Sequence, residues 1–164
     1  MDKLVNELLS LLRDLLVGQQ QLLQLGLSRR DAMRTFDVTR MEALVGQEKA
    51  ALERLTSLDR RRQQLMAQIR ATMPRNFEPT VSEIAKRSQE PQKSQLLTLA
   101  AQLKETVEQV ERNTRINATI SETVIKGLAK VLKVVTGLAQ HAGLYMRNGR
   151  KAAMHGIHLL EVTA

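Results

Sequence analysis

The chain has 164 residues, a formal net charge of +8 and no cysteine, and only 2% of its residues are aromatic. The absence of cysteine excludes disulfide bonds and thiolate chemistry, and the scarcity of aromatic residues leaves burial to aliphatic side chains, which is typical of helical proteins. Residues 123–164 carry six Lys or Arg and a single acidic residue, so this basic part could attract nucleic acid, anionic lipid or an acidic protein surface.

The first part of the chain, residues 2–73, carries apolar residues at helical spacing. One stripe begins at Leu4 and repeats every three or four residues, and a second runs from Met41 to Met73 and includes Val45 and Leu52. Such spacing predicts long amphipathic helices, the second of them similar to a coiled coil. The sequence "FDVT" at 36–39 is either a bend between two helices or a continuation of one helix. Charged residues interrupt the amino-terminal apolar stretch, so we expect no signal peptide.

The rest of the chain predicts one short and one long helix. Pro74 and Pro79 end the preceding pattern, and Thr80 with Glu83 fits a capping box that opens a short helix over about 80–88. Apolar spacing resumes over about 94–138. We therefore predict an all-α fold, an elongated antiparallel bundle or coiled-coil-like hairpin of long helices. Residues 1–140 would form one domain, and residues 141–164 a flexible, loosely ordered basic tail.

Polar residues replace apolar ones near the middle of the two strongest stripes. They are Glu48, Asp59 and Arg62 in one stripe and Thr114, Asn117 and Ser121 in the other. Polar groups within a helix–helix seam cost stability but fix the register of the helices. We predict that Glu48, Arg62, Asn113 and Asn117 set the register, and the alternative is that the polar stripe positions face solvent where the bundle frays.

The sequence shows no catalytic, cofactor or metal site. His155 and His158 are three residues apart, but only Glu161 could join them as a ligand, and a metal site needs more. No phosphate-binding glycine loop occurs. The basic run "DRRRQQL" at 59–65 lacks neighbouring aromatic side chains and is more typical of a solvated helix face than of a nucleic-acid site. We expect a protein that is not an enzyme.

Five short stretches, in this order, resemble the FlgN family of flagellar export chaperones. They are "LLSLLRDLLVGQQQLL" at 8–23, "FDVTRMEALVGQEKAALERL" at 36–55, "LDRRRQQL" at 58–65, "NTRINATI" at 113–120 and "YMRNG" at 145–149. Together they extend over most of the chain.

The resemblance implies a cytoplasmic chaperone that binds the C-terminal amphipathic helices of hook-associated proteins and delivers them to the flagellar type III export gate. The implied substrate-binding positions are Val124, Leu128, Val131, Leu132, Val135 and Leu138. The implied positions for docking to the cytoplasmic domain of the export gate are Tyr145, Met146 and Arg147. Helix-in-groove binding of this kind suits the long apolar stripes.

Two other classes of function stay open at this point. One is a basic helical protein that binds nucleic acid or an anionic membrane surface, although no nucleic acid partner and no stable membrane insertion are expected. The other is a coiled-coil scaffold that forms a homodimer through its stripes.

Overall fold

The computed structural model describes residues 2–74 and 77–142, with side chains in these ranges up to residue 137. The described chain forms four helices and no strand: α1 (Asp2–Arg34), α2 (Val38–Ala71), α3 (Val81–Arg87) and α4 (Gln92–Ala142). The predicted all-α fold of long helices is confirmed. The segment 2–73 is two helices rather than one, and α4 extends beyond the predicted range 94–138 at both ends.

A tight turn at residues 35–37 ends α1 and starts α2. Phe36 has a positive φ of 52°, the Asp37 N–H donates to the Ala32 carbonyl at 3.0 Å, and the Phe36 N–H donates to the Met33 carbonyl at 3.3 Å. These two bonds form a Schellman motif, which satisfies the last carbonyls of a helix. The Asp37 side chain then caps α2 by accepting from the Arg40 N–H at 3.0 Å. The "FDVT" stretch is therefore a bend.

Helices α1 and α2 form an antiparallel hairpin. Arg61 near the end of α2 pairs with Glu7 near the start of α1 at 2.9 Å, and Glu48 near the start of α2 pairs with Arg29 near the end of α1 at 2.8 Å. Between these two ion pairs the backbones approach closely, because a Cβ on Gly18 would lie 2.7 Å from the Leu55 side chain.

Helix α4 runs parallel to α1 in the first part of its length. Gln92 at its start donates to Asn6 at 2.9 Å, and Ser121 donates to the Met33 sulfur at 3.3 Å. Because α2 runs in the opposite direction, the three long helices are arranged up, down and up. The short α3 and its flanking loops make the return from the end of α2 to the start of α4.

The apolar core lies at the end of the bundle where α1 begins, α2 ends, and α3 and α4 meet them. Its fully buried members include Val5, Leu8, Leu12, Ile69, Ile84 and Leu96. Phe77, in the loop before α3, is also buried there, and the Arg87 guanidinium lies 5.0 Å from its ring centre. Thr80 caps α3 as predicted, by accepting from the Glu83 N–H at 3.1 Å.

The buried side of α2 differs in part from the predicted stripe. Val45 and Leu52 are exposed, whereas Leu44 and Ala51, one residue earlier in each case, are buried. A helix that packs in a heptad seam buries two alternating rows, and both rows carry apolar residues on this helix. Contact with α1 selects the row of Leu44 and Ala51.

The chain forms two compact units, Met1–Ser121 and Glu122–Ala164. The first unit contains the bundle. In the second unit the described part is α4 from residue 122 to Ala142, and residues 143–164 lie outside the described residues. The predicted domain limit at residue 140 and the predicted tail stay predictions. Among the described helices, none is long and apolar enough to cross a membrane.

The left-handed conformation of Phe36 predicts a stabilising substitution. Glycine adopts a positive φ without the steric cost of a side chain, which is about 1 kcal/mol or more. We expect Phe36→Gly to be more stable than Phe36→Ala by about 1 kcal/mol in urea denaturation followed by circular dichroism. The alanine variant is the control, because it also removes the exposed ring but keeps the strained backbone. Equal stability of the two variants would contradict the assigned turn.

Candidate functional site

Two buried asparagines join α4 to α1. Asn117 is fully buried, with 0% of its surface exposed; its Nδ2 donates to the Gly26 carbonyl at 2.7 Å, and its Oδ1 accepts from Arg30 Nε at 3.1 Å. The second guanidinium donor of Arg30, Nη2, bonds the Oδ1 of Asn113. We name these residues, Gly26, Arg30, Asn113 and Asn117, the asparagine layer. Because each of these hydrogen bonds requires its two partners at the same level along the helices, we expect the asparagine layer to fix the register of α4 against α1.

The asparagine layer depends on the missing side chain of Gly26. A Cβ at this position would lie 2.1 Å from Asn113 Nδ2, a separation that atoms do not tolerate. The glycine therefore lets Asn117 reach the backbone carbonyl and leaves room for the second amide.

The Glu48 carboxylate forms a partly buried ion pair with Arg29 of α1 at 2.8 Å. Burial raises the pKa of Glu48 above its ordinary value, and the Arg29 charge offsets only part of this effect. The ion pair also costs free energy, since Arg29 Nε is removed from water without gaining a hydrogen-bond partner. A partly buried ion pair of this kind favours one alignment of the two helices more than it stabilises the fold.

Arg62, the remaining position predicted to set the register, makes its polar contacts within α2. Its guanidinium pairs with Asp59 at 2.8 Å, three residues earlier on the same helix. Beside this pair lies a cleft of about 560 Å³ between the three long helices, with Leu15, Leu55, Leu103 and Val107 among its lining. The structure thus brings Glu48, Asn113 and Asn117 into contact with α1, whereas the polar contacts of Arg62 stay local.

The second unit of the chain presents an apolar surface on α4. Its side chains are between 55% and 66% exposed. We name this surface the α4 face; it comprises Ile125, Leu128, Val131, Leu132, Val134 and Val135. Of the predicted substrate-binding positions, the structure places Leu128, Val131, Leu132 and Val135 on this face. Val124 is half-buried, and the side chain of Leu138 lies outside the described residues.

The lysines of this part of α4 lie on the side opposite the α4 face. At about 100° per residue, Lys126, Lys130 and Lys133 all fall on the other half of the helix. Lys126 pairs there with Glu122 at 2.6 Å. The helix is therefore amphipathic, with one apolar half and one basic half.

The other predicted site residues cannot be placed. Tyr145, Met146 and Arg147 lie outside the described residues, and so do His155 and His158. Over the ranges that the structure describes, no three His, Asp or Glu side chains are grouped as a metal site would require.

Sequence reasoning missed the α1 side of the polar contacts, namely Gly26, Arg29 and Arg30. A signal was present, because a glycine inside an amphipathic stripe marks a close approach of backbones when no turn follows. Two consecutive arginines one turn later supply long donors that reach neighbouring helices. Neither signal identifies the partner.

The asparagine layer predicts opposite effects for two glycine substitutions. Gly26→Ala should destabilise the protein by about 1–3 kcal/mol, because it displaces buried amides from their hydrogen bonds. Gly46→Ala is the matched control: Gly46 lies inside α2 with nothing within 4 Å of its Cβ position, so alanine should stabilise by up to about 1 kcal/mol. Urea denaturation would measure both, and a stabilising Gly26→Ala would refute the layer.

The raised pKa of Glu48 predicts a pH dependence of stability. Because the folded state binds the proton more tightly than the unfolded state, this group contributes most stability below pH 4.5, its ordinary pKa, and the contribution is lost as the pH rises through the folded-state pKa. We therefore expect the stability of the wild type relative to Glu48→Gln to fall as the pH rises above about 4.5.

Denaturation midpoints of both proteins across this pH range would give that difference. Glu53→Gln, a substitution of an exposed glutamate on the same helix, is the control for a general charge effect. A difference that is constant or grows with pH would contradict the prediction.

Comparison with known proteins identifies a family. The chain matches the family described as FlgN protein over residues 1–153. Comparison with curated proteins gives no match, and comparison with solved structures gives none. Since the match includes both the helical bundle and the α4 face, the resemblance seen in the sequence is confirmed, and this chain belongs to the FlgN family of flagellar export chaperones.

Proposed function

We propose that the α4 face binds the C-terminal amphipathic helix of late flagellar substrates, the hook-filament junction proteins. In this proposal the chaperone acts in the cytoplasm, where it covers a helix that would otherwise aggregate or assemble before export. It then delivers the substrate to the flagellar type III export gate. The protein is a binding protein and not an enzyme.

The observation that carries this proposal is the exposure of six aliphatic side chains on one side of α4. Large contiguous apolar surface is uncommon on soluble proteins and marks interaction sites. Leu132, for example, is 63% exposed on a helix whose earlier stripe is buried at Leu96. Full burial of an exposed aliphatic side chain contributes about 1.5–3 kcal/mol, so covering even part of this surface supplies several kcal/mol before the costs of association and ordering.

Docking to the export gate is assigned in this proposal to Tyr145, Met146 and Arg147. A tyrosine offers a large contact area with few rotatable bonds and a hydroxyl group, which makes it a good interface anchor. The three residues follow the α4 face in sequence, and they are separate from the positions assigned to the substrate. Binding of the substrate and docking to the gate can therefore be tested with different variants.

A charge placed on the α4 face should abolish substrate binding without unfolding the protein. We expect Leu128→Glu to weaken binding at least about 100-fold, because the buried contact is lost and an unpaired carboxylate would be desolvated. Calorimetry with C-terminal helical peptides from the two hook-filament junction proteins of the same organism would measure this. Lys133→Glu, on the opposite side of the helix, is the control and should still bind.

Two further measurements explain a loss of binding: the fold of Leu128→Glu and the salt dependence of wild-type binding. Leu128→Glu should keep the helicity and the melting temperature of the wild type, since Leu128 is exposed, and a loss of fold would show it to be a core residue. Wild-type binding should change little between low and physiological salt. A steep loss with salt would instead indicate phosphate binding and would favour nucleic acid or anionic lipid as the partner.

A further inference from the structure

We propose that the α4 face binds two helices of its substrate side by side, and that a single helix covers only part of it. This inference rests on the proposed function and names the structural class of the partner element. Three properties of the described residues support it: the width of the face, the placement of charge, and the packing of the preceding part of the same helix.

The α4 face is wider than the seam that one partner helix covers. Ile125 and Val134 are nine residues apart, which at about 100° per residue places them about 180° apart around the helix axis. Leu128, Val131 and Val135 follow the alternating three-and-four spacing of a two-helix seam and lie between them. Against one helix, this central seam would be buried, while Ile125 on one flank or Val134 on the other would stay in water. Both flanking side chains are more than 60% exposed in the free chain.

The placement of charged residues on α4 also favours two partner helices. A helix designed for a single partner usually carries charged residues beside its apolar seam, where they meet solvent and select the partner. Here the residues beside the seam are Ile125, Leu132 and Val134, and the lysines lie on the far side. No charge occupies these flanking positions, and the nearest charged residues, Glu122 and Lys130, lie one position further out, at the edges of the α4 face.

The earlier part of α4 shows how many helices cover its apolar stripe within the bundle. Leu96 and Leu99 belong to one buried core with residues of both α1 and α2. Leu103 and Val107 line a cleft shared with the same two helices. Where α4 is covered, two antiparallel helices cover it.

This stripe continues into the α4 face without a change of spacing. From Asn113 it passes through Asn117 and then reaches Val124, Leu128, Val131 and Val135 at intervals of three, four or seven residues. An apolar stripe that is this wide is buried across its full width only when the partner surface is equally wide. A pair of substrate helices would therefore continue the packing that α1 and α2 provide in the bundle.

The absence of cysteine from the chain allows a direct test. Single substitutions Ile125→Cys and Val134→Cys probe the two flanks, Val135→Cys probes the seam, and Lys133→Cys on the opposite side is the control. Each variant of the full chain is alkylated with a maleimide, alone and with substrate at a free concentration of about 100 times Kd. At this concentration a covered thiol reacts up to about 100-fold more slowly. Two probes are compared: a full-length hook-filament junction protein, and its C-terminal helical peptide alone.

The expected result is that the full-length substrate protects the seam and both flanks, whereas the peptide protects the seam and leaves at least one flank reactive. Lys133→Cys should react at its free rate in both cases. Protection of both flanks by the peptide alone, or a reactive flank with the full-length substrate, would overturn the two-helix inference and leave the proposed function in place. Failure of both probes to protect Val135→Cys would overturn the proposed function itself.

The test must also distinguish binding of substrate helices from binding of a lipid surface. Vesicles of phosphatidylglycerol replace the substrate in a third set of reactions, because a wide apolar face opposite lysines is also typical of helices that lie in a membrane interface. Equal protection of both flanks by vesicles, in the absence of substrate, would assign the width of the face to lipid and overturn the inference.

Discussion

The hydrogen bond from Asn117 to the Gly26 carbonyl is the contact on which the arrangement of the long helices depends. Apolar packing between regular helices tolerates a shift of one turn, because every turn presents a similar leucine. A buried amide does not, since a shifted asparagine would lose its partner and pay the cost of desolvation. Arg30 strengthens this selection, because it binds both asparagines and would lose both contacts together. We therefore expect polar contacts inside an aliphatic bundle to set the register of α4.

The same helix is a core element in its first part and, in the proposed function, a binding surface in its second part. Leu96 and Leu99 of α4 are buried, whereas the aliphatic side chains from Ile125 onward on the α4 face are exposed. Exposed aliphatic surface promotes aggregation, and the lysines on the other half of the helix oppose this by keeping the segment charged and hydrated. In the proposed function, such a face stays hydrated while it is empty, and burial of its apolar side chains against a substrate would lower the free energy.

Much of the fold and the apolar positions of part of the candidate site could be predicted from sequence because both follow from periodicity. The helix limits near Pro74 and Pro79, the Thr80 cap and the apolar positions Leu128, Val131 and Val135 depend on local chemistry. The heptad row of α2 could not be chosen between Leu44 and Val45, because both rows are apolar and only contact with α1 distinguishes them. The flanking positions Ile125 and Val134 were missed for the related reason that a stripe does not reveal its own width until exposure is known.

By itself, the sequence determined that this protein is an assembly of long amphipathic helices with a basic C-terminal part and the motifs of the FlgN family. These properties are encoded locally, in spacing, caps and residue types, and they do not depend on which segments meet. Tertiary structure alone decided that α4 runs parallel to α1, that Gly26 receives Asn117, that Arg29 meets Glu48, and that the apolar stripe of α4 passes from buried to exposed. Those features join residues up to about 90 positions apart in the chain, and a hydrogen bond or an apolar contact between distant residues is specified only when packing brings both partners to the same place.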